Sequence, residues 1–147
     1  MGRRRAARQA AVQFHFWRDA HRGNAPERIE DFWEFCPTKA NVREFAQPLI
    51  DGMIGHLPDI DAKIKQYTEN YDIGRLSAVD RNVLRLAIYE MLYRDDIPPV
   101  VSINEAIELA KTFGGSDSGR FVNGILDRVK DDLHRPLREP AAKSAGG

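Results

Sequence analysis

The chain has 147 residues, with 22 basic and 22 acidic side chains and therefore no formal net charge. That length suits a single domain able to bury a real core, no apolar run approaches the roughly 20 residues of a membrane span, and the arginine-rich start lacks the apolar core of an export signal, so a cytoplasmic protein is expected. The neutral total hides segregation: the first 22 residues carry six Arg against one acid, Asp19, and the rest balances them.

Helical periodicity recurs along the whole chain, and strand signals are nearly absent. The first helix is predicted from about Arg3 to Ala20, with Ala7, Ala10, Ala11, Phe14 and Trp17 as its apolar stripe; Arg5, Arg8 and His15 fall off that stripe. His21-Arg22-Gly23-Asn24 reads as a break, and Pro26 opens a second helix carrying Ile29, Phe32 and Trp33. Val42, Phe45, Ala46, Leu49, Ile50, Met53, Ile54 and Leu57 form a long stripe for the third, with a kink expected at Pro48. Pro58 restarts a fourth helix with Ile60, Ile64 and Tyr67, and Asp72-Ile73-Gly74 ends it.

Ser77 with Asp80 resembles a capping box at the start of helix five. Asp95-Asp96-Ile97-Pro98-Pro99 stops that helix, and a second box, Ser102 to Glu105, is read as the start of helix six. Gly114-Gly115 ends it, and helix seven follows Ser116-Asp117, with Val122, Ile125, Leu126, Val129 and Leu133 on its apolar side. The expectation is all-α: about seven helices in a compact bundle, one domain over 1–135, and a disordered polar tail over 136–147.

No catalytic constellation emerges. The glycine-rich run Gly114 to Gly119 lacks the Gly-Lys-Ser/Thr of a phosphate loop and follows no strand. Cys36 is the only cysteine, which excludes a disulfide within the chain and a cysteine metal site, and His15, His21, His56 and His134 show no ligand spacing. No metal or cofactor is expected. Glu105 and Glu108 read as an exposed face, with Glu108 near Lys111.

Two features point to binding. Arg3, Arg4, Arg5 and Arg8 cluster cations as a polyanion rewards, although a solubilising terminus would look the same. Asp117 and Ser118 are suited to cap helix seven, which puts Arg120 and Phe121 in its first turn, where a cation, free backbone donors and an aromatic face could meet unpaired RNA. On the residues alone, plain core is the favoured reading of Phe121. Gly124, inside the helix, suggests close approach of another element.

The run Arg75-Leu76-Ser77-Ala78-Val79-Asp80-Arg81, continuing Leu84 to Glu90, resembles the NusB family of transcription antitermination factors. So do Asp96-Ile97-Pro98, the run Ile103 to Lys111, the block Phe121-Val122-Asn123-Gly124-Ile125-Leu126-Asp127 and the arginine-rich opening. Residues 21 to 70 match mainly in helical pattern. The resemblance implies two small helical subdomains packed together, no enzymatic activity, and binding of single-stranded boxA RNA in ribosomal RNA leaders. It implies NusE, a small-subunit ribosomal protein, as partner, and read-through by RNA polymerase in an antitermination complex. By position it implies that Arg3, Arg4, Arg5, Arg8, Asp117, Arg120 and Phe121 touch RNA, and that Phe16 and Asp80 meet NusE, where many relatives carry Tyr and Glu. It leaves monomer and homodimer open.

Two other readings compete. One is a helical protein-interaction module whose arginines meet an acidic surface. The other is an accessory domain of a ribosomal RNA methyltransferase system, although no methyl-donor fingerprint is present in this chain.

Overall fold

The computed structural model describes residues 2–21, 29–69 and 72–141. Within them lie seven α-helices: α1 Arg3–His21, α2 Ile29–Phe35, α3 Ala40–Gly55, α4 Leu57–Tyr67, α5 Ala78–Tyr93, α6 Pro99–Gly114 and α7 Ser116–Asp131, with a 3-10 turn at Ile73–Arg75 before α5. No described residue is in a strand, and no helix is long and apolar enough to cross a membrane. The break at 22–24 and the opening at Pro26 lie outside the described residues.

The central element is α5. Every residue from Asn82 to Met91 is buried, because this helix packs against α1, α3, α4, α6 and α7. A helix enclosed on all sides has to be apolar nearly all round, and Val83, Leu84, Leu86, Ala87, Ile88 and Met91 make it so. The helical halves α1–α4 and α5–α7 share one continuous core, in which Phe14 meets Phe32 edge to face with ring centroids 5.3 Å apart. Gly52 is required where α3 crosses α5: a methyl there would overlap the Tyr89 ring. Helix α3 runs unbroken through Pro48.

The polar residues of α5 are held in two networks, and both reach α1. Arg8 Nε and Nη2 donate to Glu90 at 2.8 and 3.0 Å, and Ser102 Oγ donates to the same carboxylate at 2.7 Å. Nearer the start of α5, Asp19 accepts from Arg81, Asn82 and Arg85, and Arg85 also forks onto Asp61. The periodicity of α1 sets Arg8 and His15 off its apolar stripe; the structure buries both, at 5% and 1% exposure. They lie inside because α5 covers a second face of α1.

Two capping expectations are corrected. Helix α6 begins at Pro99, so Ser102 lies within it and serves Glu90 rather than the helix end. Pro99 suits the first turn, where its missing donor goes unneeded. Helix α7 begins at Ser116 with Gly115 before it, and no side chain caps it, so neither Asp117 nor Ser118 acts as a cap. Gly115 adopts φ 90°, which favours glycine, and serves two helices: its N–H closes α6 on Lys111 O at 3.0 Å and its carbonyl accepts from Gly119 N at 3.2 Å.

After α7 the described residues continue to 141 without regular structure. Arg135 donates to the carbonyls of Met91, Arg94, Asp95 and Ile97, Val100 N donates to Leu137 O, and Ala141 N donates to Asp95 O. These bonds lay residues 135–141 over the α5–α6 corner.

Gly124 does not serve a close approach: nothing lies within 4 Å of where its Cβ would sit. It is an exposed glycine in mid-helix, so Gly124→Ala is expected to raise the unfolding free energy by about 0.5–1 kcal/mol, read from urea denaturation.

Candidate nucleic-acid and partner interface

The expected site residues divide between the two ends of α1. Arg5 meets Glu105 near the middle of α6, and Phe16 meets Phe113 at its end, so α1 and α6 run side by side in the same direction. Helix α7 turns back at Gly115, which brings its first turn to the Phe16 end. The Arg5 and Phe16 levels are roughly 16 Å apart along α1, at 1.5 Å per residue.

At the first end, three arginines occupy the opening turn of α1 with no acidic residue among them. The helix dipole is positive there and favours anions, so the placement opposes local stability. Arg5 is neutralised in part by a forked pair with Glu105, at 2.9 and 3.2 Å. Arg3 and Arg4 have no carboxylate within salt-bridge distance among the described residues; both guanidiniums lie over the Phe45 ring instead, 4.8 and 5.0 Å from its centroid. Arg8 lies beneath this surface. It is buried and forked onto Glu90, and a phosphate contact would require breaking that pair. Arg8 is expected at the RNA with Arg4 and Arg5, but the helical turn that carries those two outward carries Arg8 inward.

Between α1 and α3 lies a small pocket lined by Arg4, Arg8, Phe45, Leu49, Arg94 and Ile97. Arg94 forks onto Asp96 at 2.9 Å through both contacts, and that hydrogen bond holds the Asp96 carboxyl below its ordinary range. Arg4 is the pocket cation with no carboxylate within salt-bridge distance among the described residues, although its charge also acts on Asp96.

At the other end, Asp117, Arg120, Phe121, Phe16 and Asp80 gather round the Gly115 corner. Asp117 and Arg120 pair with each other on the exposed first turn of α7. Phe121 is 37% exposed, so the structure does not bury it as plain core. It lines an open groove with Ile125 and Arg128 on one wall and Leu76, Ser77 and Asp80 on the other. Val79, beside Asp80, approaches Gly114 at the end of α6, next to Phe113; Phe113 in turn holds half-buried Phe16 edge to face at 5.7 Å.

Ser77 Oγ accepts from Asp80 N at 3.0 Å, so half of the capping box forms. Asp80 Oδ1 is buried and has no hydrogen-bond partner among the described residues. An unpaired carboxylate oxygen is costly unless a donor arrives. Sequence reasoning missed Phe45, which sits regularly in the α3 stripe and carries no local mark of a surface role.

The fold and these two ends define a class of protein: an all-helical binding module with an anion-attracting edge at one end and an open, partly unsatisfied groove at the other. The chain matches the model of the NusB family over residues 4–131, and it belongs to that family. It is 42% identical to the transcription antitermination protein NusB of Myxococcus xanthus, over 92% of this chain and all of that protein. With the NusB of Geobacter sulfurreducens the identity is 45%, covering 90% of this chain and 97% of that one. Among solved structures, T. maritima NusB superposes with a TM-score of 0.78 at 42% identity, covering 90% and 92% of the two chains. A structure of antitermination factors NusB and NusE in complex with double-stranded RNA superposes with a TM-score of 0.78 at 29% identity, covering 90% and 99%.

Proposed function

We propose that this protein is a non-enzymatic, cytoplasmic RNA-binding transcription antitermination factor that acts with NusE on boxA of ribosomal RNA leader transcripts and promotes read-through by RNA polymerase. One observation carries the reading. Three arginines occupy the positive end of α1, two of them without a carboxylate, so local stability is given up for an edge that only an anion satisfies. The antitermination role of the relatives and the RNA and NusE held by the related complex support the same reading.

The residues take separate roles. Arg3, Arg4 and Arg5 hold phosphates. Asp117, Arg120 and Phe121 extend the RNA surface at the far corner, with Phe121 stacking on a base. Phe16 and Asp80 receive NusE, whose donor satisfies Asp80 Oδ1. A strand touching both ends crosses the exposed face of α6, past Glu108 and Lys111. That face offers paired charges and no surplus of cations, which suits a complex in which a second protein adds cationic surface. Residues 1–135 form the binding domain.

The test is a titration of labelled boxA RNA against scrambled and duplex controls, with and without NusE. Preference for boxA, strengthened by NusE, is the expected result; equal binding of boxA and scrambled RNA overturns the reading. Replacing Arg3 and Arg4 together by Ala is expected to lower the salt slope of log K by about 1.4, at roughly 0.7 per phosphate contact for a single strand.

A further inference from the structure

Resting on that RNA-binding reading, we infer that Phe45 on α3, with the pocket it forms against α1, is a nucleotide subsite: the ring stacks one unpaired base while Arg3 and Arg4 take the adjoining phosphates. The inference rests on placement. Phe45 is half-buried, anchored from below by the core and presenting its ring to α1. The two arginines with no carboxylate partner both converge on that ring, within the reach of cation–π contact. Guanidiniums so placed can swing to phosphate and leave the ring face to a base, or sandwich the base between ring and guanidinium plane.

The surroundings favour a base over a bare anion. Leu49 and Ile97 give the pocket apolar walls. Its other cations, Arg8 and Arg94, are held by Glu90 and Asp96 and offer little charge to an isolated phosphate. A nucleotide satisfies both halves of the site: the Phe45 ring at the pocket mouth offers a face for the base to stack on, and two exposed cations flank it. Phe121 cannot supply this stacking, because it lies at the Gly115 corner and shares no pocket with α1.

Two measurements test the subsite. In the first, wild-type protein is bound to boxA RNA carrying 5-iodouridine at single positions, irradiated and digested with trypsin. A crosslink in the peptide 44–63, which contains Phe45, is expected at one position of the RNA. In the second, Phe45→Leu is expected to weaken boxA binding about tenfold at every salt concentration while leaving the salt slope unchanged, because a stacking surface is lost and no charge is. Crosslinks confined to α7, or Phe45→Leu binding as tightly as wild type, overturn the subsite while the RNA-binding reading stands. Wild-type protein that fails to bind boxA at all overturns both. If Phe45→Leu does not fold, the crosslink on the wild-type chain decides alone.

Discussion

Replacing Glu90 by Gln is expected to lower the unfolding free energy by about 3–5 kcal/mol, which for a chain of this size moves the melting temperature down by roughly 10–15 °C. Glu90 is fully buried and takes three donated bonds, two from Arg8 and one from Ser102. Gln keeps the shape, but even with its oxygen at the Oε1 position its NH2 group faces the Arg8 Nε–H, and it leaves the Arg8 guanidinium buried without a counter-charge. The loss measures that stranded charge rather than the worth of the pair. Arg8→Met combined with Glu90→Leu is therefore expected to regain most of the stability, since well-packed apolar pairs often replace buried ion pairs without loss. The double variant also separates two roles for Arg8. If Arg8 is a strut that fixes α1 against α5, the refolded double variant binds boxA RNA as wild type does. If Arg8 touches phosphate, affinity and salt slope both fall. Thermal melts by circular dichroism and an RNA titration on the same samples give both answers.

The helices were readable because their apolar faces are periodic and their breaks carry Gly or Pro. Residues such as Val83, Leu84, Leu86 and Ile88 leave α5 no solvent face, and that pattern already marks a central helix. Polar residues within such a helix were harder to place. Arg8 looks the same as Arg4 or Arg5 in the sequence; only the crossing of α1 over α5 turns one inward and two outward. Ser102 with Glu105 has the form of a capping box, yet Pro99 starts the helix earlier and the hydroxyl goes to Glu90. Local pattern cannot separate a capping serine from one recruited by a carboxylate on another helix.

The site was legible in its parts and less so in its layout. A cationic opening and a corner at residues 114–121 stand out from charge and glycine content alone. Their separation along α1 does not, because it depends on α1 and α6 lying parallel. The arginine tract and Phe121 therefore lie in two separate regions bridged by α6, where composition suggests one. Phe45 shows the converse: its place in the stripe is that of a core residue, and only the folded chain lays two arginines on its face.

Acid is expected to destabilise the protein through His15. The ring is 1% exposed and its Nε2 has no hydrogen-bond partner among the described residues. Burial, with the charges of Arg85 and Arg18, pushes its pKa down to about 3, while Asp19 opposes them. The unfolded chain takes up a proton near pH 6.5 and the folded chain does not until about pH 3, so the unfolded state binds more protons across that window. Stability is complete above pH 6.5 and falls as the pH drops towards 3, by up to about 1.4 kcal/mol per unit from this residue. Asp19 acts in the same direction at lower pH. Its burial raises the carboxyl, but Asn82, Arg85 and Arg81 more than offset that and hold it below the ordinary range, so its contribution is lost as the pH falls through its folded value. Urea denaturation at pH 7 and pH 4.5 should therefore differ by about 2–3 kcal/mol for His15 alone. His15→Leu removes the titrating group and keeps an apolar side chain against Phe14, so its loss between the two pH values should be smaller by that amount. An equal loss in the variant and the wild type would assign the acid sensitivity to the carboxylate networks instead.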